Sequence, residues 1–174
     1  MAQKFEIDGK PLLIVDNILT AEEAKAFVDM VDSVKLHTVE GSISSYDRHI
    51  MISDEWADKI YHRVIEYFPE DLRPRLSINN YFRFSKYSPG GFFYIHRDGI
   101  NVNESEKRSF TTINIFLNDE FQGGETSFYT DSGEHVVTAK PFPGRGAIFD
   151  RNIYHSGNKV LEGYKYLIRT DVMI

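Results

Sequence analysis

Residues 87–98 have the sequence YSPGGFFYIHRD, which combines a turn with a short aromatic strand. Ser88, Pro89 and the two glycines that follow are typical of a turn, and the aromatic run after them favours a strand. We predict that this strand ends in His96 and Asp98. Side chains two positions apart project from the same face of a strand, so the imidazole and the carboxylate would converge on one point.

A neutral nitrogen ligand beside an anionic oxygen ligand makes up two-thirds of a common metal site. Two histidines and one carboxylate form the facial triad that holds non-haem Fe(II) and leaves coordination positions open. Taken alone, a His-x-Asp pair is more often a histidine hydrogen-bonded to a nearby carboxylate on a surface strand. The metal interpretation therefore requires a second histidine elsewhere in the chain.

His155 is the candidate for that second histidine, because it follows a short predicted strand at residues 146–149 and precedes a turn. We predict packing or surface roles for the other four histidines, which are His37, His49, His62 and His135. Further along, Lys165 and Arg169 lie on the same face of the last predicted strand. A dicarboxylate cosubstrate that chelates a metal needs such a cation for its far carboxylate. The alternative is that both are ordinary surface charges of a strand.

Composition limits the class of protein. The chain has 174 residues, of which 41% are hydrophobic and 26% charged, and this suits one globular domain with a proper core. Cysteine is absent, so no disulfide or thiolate takes part. A net charge of −6 argues against nucleic acid as the default partner. Because no apolar run approaches the ~20 residues of a membrane span and no signal-peptide core is present, we expect a cytoplasmic protein without a membrane partner.

Two helices are predicted in the first part of the chain. Residues 20–23 have the pattern of a capping box and begin the first helix, whereas Ser53 begins the second, which prolines close. Between the helices, residues 36–48 are polar and are predicted to form a loop, with a weak strand near residues 49–51. At least seven short strands follow, including a hairpin at residues 126–139. The pattern predicts a mainly β fold, a sandwich or barrel with flanking helices on one face.

Six short motifs occur in one order and spacing, and together they carry a resemblance to a known family. They are YSPGG (87–91), HRDG (96–99), TTINIFLN (111–118), GGET (123–126), PxxGAIF (143–149) and HSG (155–157), with GYKY (163–166) closing the series. In these motifs the chain resembles the prolyl 4-hydroxylase branch of the 2-oxoglutarate/Fe(II) oxygenases. The resemblance implies a double-stranded β-helix, or jelly roll, within one domain of residues 1–174. Residues 1–75 would supply a strand and supporting helices, and residues 76–174 the β-helix core.

The same resemblance implies a ligand set. His96, Asp98 and His155 would hold Fe(II), and Lys165 would bind the far carboxylate of 2-oxoglutarate, with Arg169 as the alternative. Tyr87 matches a tyrosine that touches the cosubstrate in relatives. A second tyrosine of the family falls on a strand where Phe116 offers no hydroxyl. Molecular oxygen would be the co-reactant, and ascorbate a reductant.

The expected activity is hydroxylation of an unactivated C–H bond, in a prolyl residue of a peptide or protein. Two alternatives stay open, namely a hydroxylase of a free amino acid or other small molecule, and a catalytically silent β-helix that only binds. Asp98 argues against halogenation, because halogenating relatives carry a small residue there. We predict substrate contacts at Arg83, Tyr94 and Arg97, with the polar loop 99–107 closing over the substrate.

Overall fold

The computed structural model describes residues 2–174 as two α-helices, two 3-10 turns and fifteen strands. The helices are α1 (Ala21–Ser33) and α2 (Asp54–Val64), and the 3-10 turns are Ile65–Tyr67 and Arg73–Arg75. The strands are β1 (Ala2–Ile7), β2 (Lys10–Val15), β3 (His37–Glu40), β4 (Ser44–Ile52), β5 (Ser77–Ile78), β6 (Tyr81–Tyr87), β7 (Phe92–His96), β8 (Ser109–Phe116), β9 (Phe121–Gly123), β10 (Thr126–Tyr129), β11 (His135–Ala139), β12 (Gly146–Asp150), β13 (Tyr154–Gly157), β14 (Val160–Gly163) and β15 (Lys165–Met173). No helix among the described residues is long and apolar enough to cross a membrane.

Helix α1 begins where the capping box predicts. The Glu23 amide donates to Thr20 Oγ1 at 3.1 Å, and the Thr20 amide donates to Glu23 Oε2 at 2.9 Å, which satisfies two helix-end donors reciprocally. The helix buries one face, formed by Ala24, Phe27 and Val31, against the sheet. Its capping glutamate also receives two hydrogen bonds from Arg63 of α2, at 2.6 and 2.9 Å. The two helices are thus joined by a charged pair as well as by apolar contact.

Helix α2 ends before the prolines that are predicted to close it. Ser53 caps it by accepting from the Trp56 amide at 3.2 Å, and Ala57, Ile60 and Val64 are buried. The regular helix ends at Val64 and tightens into a 3-10 turn before Pro69, which cannot continue a helix.

The region 36–48 is a β-hairpin rather than the predicted loop. Strands β3 and β4 pair antiparallel from His37–Arg48 to Glu40–Ser45, and β4 continues as far as Ile52. Strand β4 then pairs with β6 along most of its length. Its sequence lacks apolar alternation because one of its faces borders a polar cavity, so the period-2 pattern that predicts a strand is absent.

One sheet folds back on itself to form the double-stranded β-helix. Thirteen strands share this sheet, in the order β1-β2-β12-β8-β15-β6-β4-β7-β13-β10-β11, with β3 attached to β4 and β5 to β15. A separate pair is formed by β9 and β14. Strands β4 and β7 share only two residue pairs, at Ser44 and Ser45, and the sheet turns over there. As a result β7 and β13 lie opposite β15 and β6 across the interior, in a jelly-roll arrangement.

Two apolar clusters stabilise this arrangement. The larger one lies between the helices and the outer face of the sheet, and it includes Phe27, Ile60, Phe84 and Ile168. The smaller one fills the closed end of the β-helix, and it includes Leu12, Phe116, Phe128, Phe149 and Leu167. The interior beyond the second cluster stays open and polar, and the candidate site lies there.

Gly144 is the position where the fold most requires glycine. Its φ is +81°, and a Cβ there would overlap the Leu19 carbonyl oxygen. Gly144 also accepts a hydrogen bond from the Leu19 amide at 3.2 Å and donates one to the Phe116 carbonyl at 2.8 Å, so the close approach joins the segment before α1 to the β-helix.

We expect Gly144→Ala to lower the free energy of unfolding by more than about 3 kcal/mol, through strain and displaced backbone. Gly133→Ala is the matched control, since Gly133 has a φ of +87° but nothing within 4 Å of its would-be Cβ. It should cost about 1 kcal/mol, the price of the left-handed conformation alone. Urea denaturation measures both. An equal decrease in the free energy of unfolding of the two variants would mean that the close approach of Gly144 to Leu19 does not contribute to stability.

Candidate metal and cosubstrate site

His96 and His155 face each other across two paired strands. His96 of β7 is the register partner of His155 of β13, and their ring centroids lie 4.3 Å apart. Asp98 lies beyond the end of β7, so the strand is shorter than predicted and Asp98 is held differently. Its amide donates to the Arg151 carbonyl at 3.0 Å, and Thr112 Oγ1 of β8 donates to its Oδ2 at 2.7 Å. The convergence of the pair therefore depends on neighbouring strands as well as on spacing.

The three side chains present their donor atoms to one point. Each offers one ligand atom, and these atoms all lie within 4.8 Å of one another. The Nε2 atoms of His96 and His155 lie 3.8 and 3.7 Å from the two Asp98 carboxylate oxygens. Each Nδ1 lies beside a backbone carbonyl, that of Tyr94 at 2.7 Å and that of Ile153 at 3.0 Å. A proton on Nδ1 donates there and leaves the Nε2 lone pair for a metal.

Electrostatics favour the protonation states that metal binding needs. Burial lowers the pKa of His96 and of His155, which keeps both imidazoles neutral at neutral pH. Burial alone would raise the pKa of Asp98. The attraction of His155, which becomes protonated only at acid pH, the charge of Arg169 and the hydrogen bond from Thr112 outweigh burial and lower that pKa. Two neutral nitrogens and one anionic oxygen, three donors in all, fit Fe(II) with positions left open for other ligands.

Aromatic rings hold the two imidazoles in place. Phe93 stacks on His96 with a centroid distance of 3.7 Å and an interplanar angle of 11°. Phe149 meets His155 edge-on at 4.7 Å, and Phe128 lies 6.1 Å from the same ring. Because these rings restrict the rotamers of both histidines, the two side chains lose little conformational entropy when a ligand binds.

The triad opens into a cavity of about 270 Å³ between the two halves of the sheet. Five residues predicted to bind cosubstrate or substrate line it, namely Arg83, Tyr87, Arg97, Lys165 and Arg169. The triad itself forms part of the wall. Sequence reasoning thus located about half of the residues in the cavity wall, although the cavity shape depends on strands that pair over long range.

Lys165 is buried rather than a surface charge of a strand. Only 1% of the residue is exposed, and Nζ lies 5.0 Å from the Tyr87 ring centroid and 5.7 Å from that of Phe116. It makes no salt bridge with the described residues. Burial lowers the pKa of Lys165 to about 7, against the opposing effect of the Glu125 carboxylate. A buried cation without an anionic partner is costly, and an anion that enters the cavity would relieve that cost.

Arg169 is already engaged by carboxylates. Its Nη2 lies 3.3 Å from Asp98 Oδ1 and 3.2 Å from Asp171 Oδ1. Lys165 and Arg169 are four residues apart on β15, which puts them about 13 Å apart along the strand. Arg169 is thus beside the triad, whereas Lys165 is at the other end of the cavity.

Tyr94, which is predicted to contact substrate, lies outside this cavity, so the structure does not bring it together with Arg83 and Arg97. Phe93 pairs with Gly157 and His96 with His155, so β7 has one more residue than β13 between these pairs, which is a β-bulge. The extra residue reverses the side-chain alternation and turns Phe93 inward. Tyr94 points outward, 60% exposed, and packs on Phe92 at 4.4 Å.

Two cavity residues that sequence reasoning missed come from β4. Tyr46 and Arg48 line the cavity, and the Tyr46 ring stacks on Tyr87 at 5.1 Å. Asn114 of β8 also lines it, with an Oδ1 atom that is buried and has no hydrogen-bond partner. Recognition of β4 as a strand would have placed Tyr46 and Arg48 on one face by their spacing of two.

The double-stranded β-helix thus carries two histidines and a carboxylate at one end of the cavity and a buried lysine at the other. A model of the 2OG-Fe(II) oxygenase superfamily matches residues 82–170, just over half of the chain, and the chain belongs to this superfamily. It is an oxidoreductase that uses Fe(II), 2-oxoglutarate and oxygen. No curated protein matches the chain.

Solved structures share the fold at low sequence identity. A viral collagen prolyl hydroxylase from Paramecium Bursaria Chlorella virus-1, in complex with 2OG, has a TM-score of 0.68 and 17% identity, covering 95% of this chain and 97% of that one. A prolyl hydroxylase from Trichoplax adhaerens, in complex with a peptide fragment of the hypoxia inducible factor oxygen degradation domain, has a TM-score of 0.70 and 16% identity, covering 93% and 83%. The α-ketoglutarate-dependent epimerase SnoN of nogalamycin biosynthesis has a TM-score of 0.65 and 13% identity, covering 94% of this chain and 77% of that one. The chain therefore has a prolyl-hydroxylase-like fold, which relatives use for more than one reaction.

Proposed function

We propose that this protein hydroxylates an unactivated C–H bond, with Fe(II) held by His96, Asp98 and His155 and with 2-oxoglutarate anchored by Lys165. The observation that carries the proposal is the arrangement of one cavity, which has three convergent metal donors at one position and an unpaired, buried ammonium at another. The whole chain acts as a single oxygenase domain, in which the helices pack against the sheet that carries the site.

Each side chain has a defined part in this activity. With molecular oxygen, bound Fe(II) and 2-oxoglutarate would supply the oxidising chemistry, in which the cosubstrate yields succinate and carbon dioxide and one oxygen atom enters succinate while the other enters the substrate C–H bond. The two Nε2 lone pairs and the Asp98 carboxylate hold the metal, and Thr112 orients that carboxylate. Lys165 stays protonated when it meets the far carboxylate of the cosubstrate. The Tyr87 ring beside it excludes water and strengthens the pair.

The proposed substrate is a prolyl residue in a peptide. At about 270 Å³ the cavity is small for a ligand pocket, so a single reacting side chain suits the space beside the cosubstrate. A second, polar cavity of about 620 Å³ adjoins it, lined by Asn101, Val102 and Asn103 of the predicted lid, and Arg83 borders both. A peptide lying across this rim would place flanking residues in the second cavity. The prolyl hydroxylase structures that share the fold support this choice.

A free amino acid or another small molecule is the second candidate. The observation that favours it is the concentration of arginines around the metal, which suits a compact anion as well as a peptide.

The test is succinate release with proline-containing peptides compared with free proline, lysine and arginine, in the presence of Fe(II), 2-oxoglutarate and ascorbate. We expect turnover with peptides, hydroxyproline by mass spectrometry, and longer-lived activity with ascorbate. His155→Ala, which removes a metal ligand, is the negative control and should release none. Turnover with a free amino acid alone would replace the peptide assignment by the second candidate. If the wild type released no succinate with any of these substrates, the proposal that it is a hydroxylase would be contradicted.

A further inference from the structure

The cavity is strongly cationic in an otherwise acidic protein. Its wall contains five cationic side chains but only one carboxylate, that of Asp98, whereas the whole chain carries a net charge of −6. The five are Arg48, Arg83, Arg97, Lys165 and Arg169. A narrow site of one sign focuses its field on ligands of the opposite sign.

Three of these cations already have carboxylate partners. Arg97 Nη2 lies 2.8 Å from Asp131 Oδ1, at the rim of the cavity. Arg83 and Arg169 share Asp171, at 3.5 and 3.2 Å respectively, and Arg169 also contacts the metal-binding carboxylate. Asp171 and Asp98 together thus offset the charges of the two guanidiniums.

Arg48 differs from these three. It is half-buried and lines the cavity, yet it makes no salt bridge and no side-chain hydrogen bond with the residues that the structure describes. Among the described residues, Lys165 is the other cavity cation without a carboxylate partner, and 2-oxoglutarate is its proposed ligand. Two unpaired cations can neutralise two anionic groups, so one cation remains for a second anion.

The sheet register separates these two cations. Lys165 of β15 is the partner of Tyr87 on β6, whereas Arg48 of β4 is the partner of Ser85 on β6. Arg48 is thus two strands and one side-chain row away from Lys165, about 10 Å between backbones. The two cations thus enter the cavity from different strands and different side-chain rows. Because the far carboxylate of 2-oxoglutarate is assigned to Lys165, Arg48 is left for a different ligand.

We infer that Arg48 binds a carboxylate of the substrate and thereby selects substrates that are anionic next to the reacting carbon. This role of Arg48 rests on the hydroxylation proposed above, because it concerns the substrate of that reaction. A guanidinium binds a carboxylate through two parallel hydrogen bonds, which fixes orientation as well as charge. The carboxylate comes either from a chain terminus or free amino acid, or from an acidic side chain beside the target residue.

The test compares two pairs of probes that differ only in charge. N-acetyl-L-proline and N-acetyl-L-prolinamide represent a terminal carboxylate and its neutral analogue. Two blocked tetrapeptides, one with Pro-Asp and one with Pro-Asn at its centre, represent the side-chain carboxylate. Each is titrated calorimetrically into protein loaded with Mn(II) and 2-oxoglutarate, which binds substrate without turnover.

We expect the wild type to bind the charged member of at least one pair about tenfold or more tightly than the neutral member. Arg48→Gln should abolish that preference by weakening the charged member alone, and Arg48→Lys should retain part of it. Arg75→Gln is the matched control, because it removes the same charge from an exposed residue outside the cavity wall. It should behave as the wild type. The pair that shows the preference identifies the source of the carboxylate.

Three results would overturn the role of Arg48. They are equal or absent binding of both members of both pairs by the wild type, a preference that survives Arg48→Gln, and a loss of 2-oxoglutarate affinity in Arg48→Gln as large as that in Lys165→Met. Charge-selective binding without succinate release has a different meaning. It would contradict the hydroxylation of proline and leave Arg48 as the anion-binding residue.

Discussion

Asp98→Ala is expected to weaken Mn(II) or Fe(II) binding by more than about 100-fold, since even residues one step removed from a metal change its affinity by 10- to 100-fold. Asp98 supplies the only anionic donor among the three converging side chains. Without it, two neutral imidazoles remain beside Arg169, whose Nη2 lies 3.3 Å from Asp98 Oδ1 in the intact site. The guanidinium would then repel the metal, because the charge that screened it is gone.

Calorimetry with Mn(II) under anaerobic conditions measures this loss, with circular dichroism to check folding. Thr112→Val removes only the hydrogen bond to Asp98 Oδ2, so it should weaken metal binding by about 10- to 100-fold. Asp29→Ala is the control for loss of a carboxylate, since Asp29 lies exposed on α1 and pairs with Lys25. It should leave the affinity unchanged. Metal binding by Asp98→Ala that equals the wild type would remove Asp98 from the proposed ligand set.

The sequence located the three converging residues but not how they are held. The spacing of His96 and Asp98 predicts convergence, and the resemblance supplies His155. The position of Asp98, however, depends on a backbone hydrogen bond to Arg151 and on the Thr112 hydroxyl, which come from distant segments. Contacts of this kind depend on long-range strand pairing and have no local pattern.

Strand β4 shows where local patterns fail. A strand is recognised by alternation of apolar and polar residues when one of its faces packs on a core. The inner face of β4 instead carries Tyr46 and Arg48 into a polar cavity, so the segment has the composition of a loop. The predicted weak strand near residues 49–51 lies within β4, but the part of β4 before it, with two residues of the cavity, shows no periodicity. Polar cavity residues occupy the face on which apolar residues would have identified the strand.

The misplacement of Tyr94 has a different cause. Regular alternation puts Tyr94 on the same face as His96, and the composition of β7 does not contradict this. A single-residue bulge between Phe93 and His96 reverses the alternation. Bulges arise from the pairing of two strands and are common next to active sites, where they redirect a side chain. In this site the bulge brings Phe93 inward to stack on His96.

Lys165→Met is expected to weaken 2-oxoglutarate binding by about 30- to 5,000-fold, because loss of one member of a buried charge pair costs about 2–5 kcal/mol. Methionine matches the length and apolar stem of lysine, so it can fill the same space beside Tyr87 and Phe116 without a charge. Arg169→Met should weaken cosubstrate binding less, since Arg169 is paired with Asp98 and Asp171. The reverse ranking would transfer the anchoring role to Arg169. Calorimetry with Mn(II)-loaded protein measures both.

Lys165→Met should also raise the free energy of unfolding. Burial lowers the pKa of Lys165 to about 7 in the folded protein, from a usual value of 10.5. Between these pH values the unfolded chain binds more protons, so the stability of the wild type rises with pH across this window. Below about pH 7 the full penalty is present, at most about 5 kcal/mol at 1.36 kcal/mol per pKa unit. Lys165→Met avoids this penalty.

Urea denaturation at several pH values separates the two effects of Lys165. Without ligand, Lys165→Met should be more stable than the wild type below pH 7, and the difference should fade towards pH 10.5, where the lysine of either state is neutral. Binding of 2-oxoglutarate by the wild type should weaken as pH rises above about 7, because the cosubstrate needs the ammonium form. A buried cation that destabilises the free protein and is relieved by its ligand is what a binding site requires, whereas a structural ion pair would be weakened by the substitution. A less stable Lys165→Met protein at pH 6 would therefore show that Lys165 has a structural partner, and would contradict its assignment to the cosubstrate.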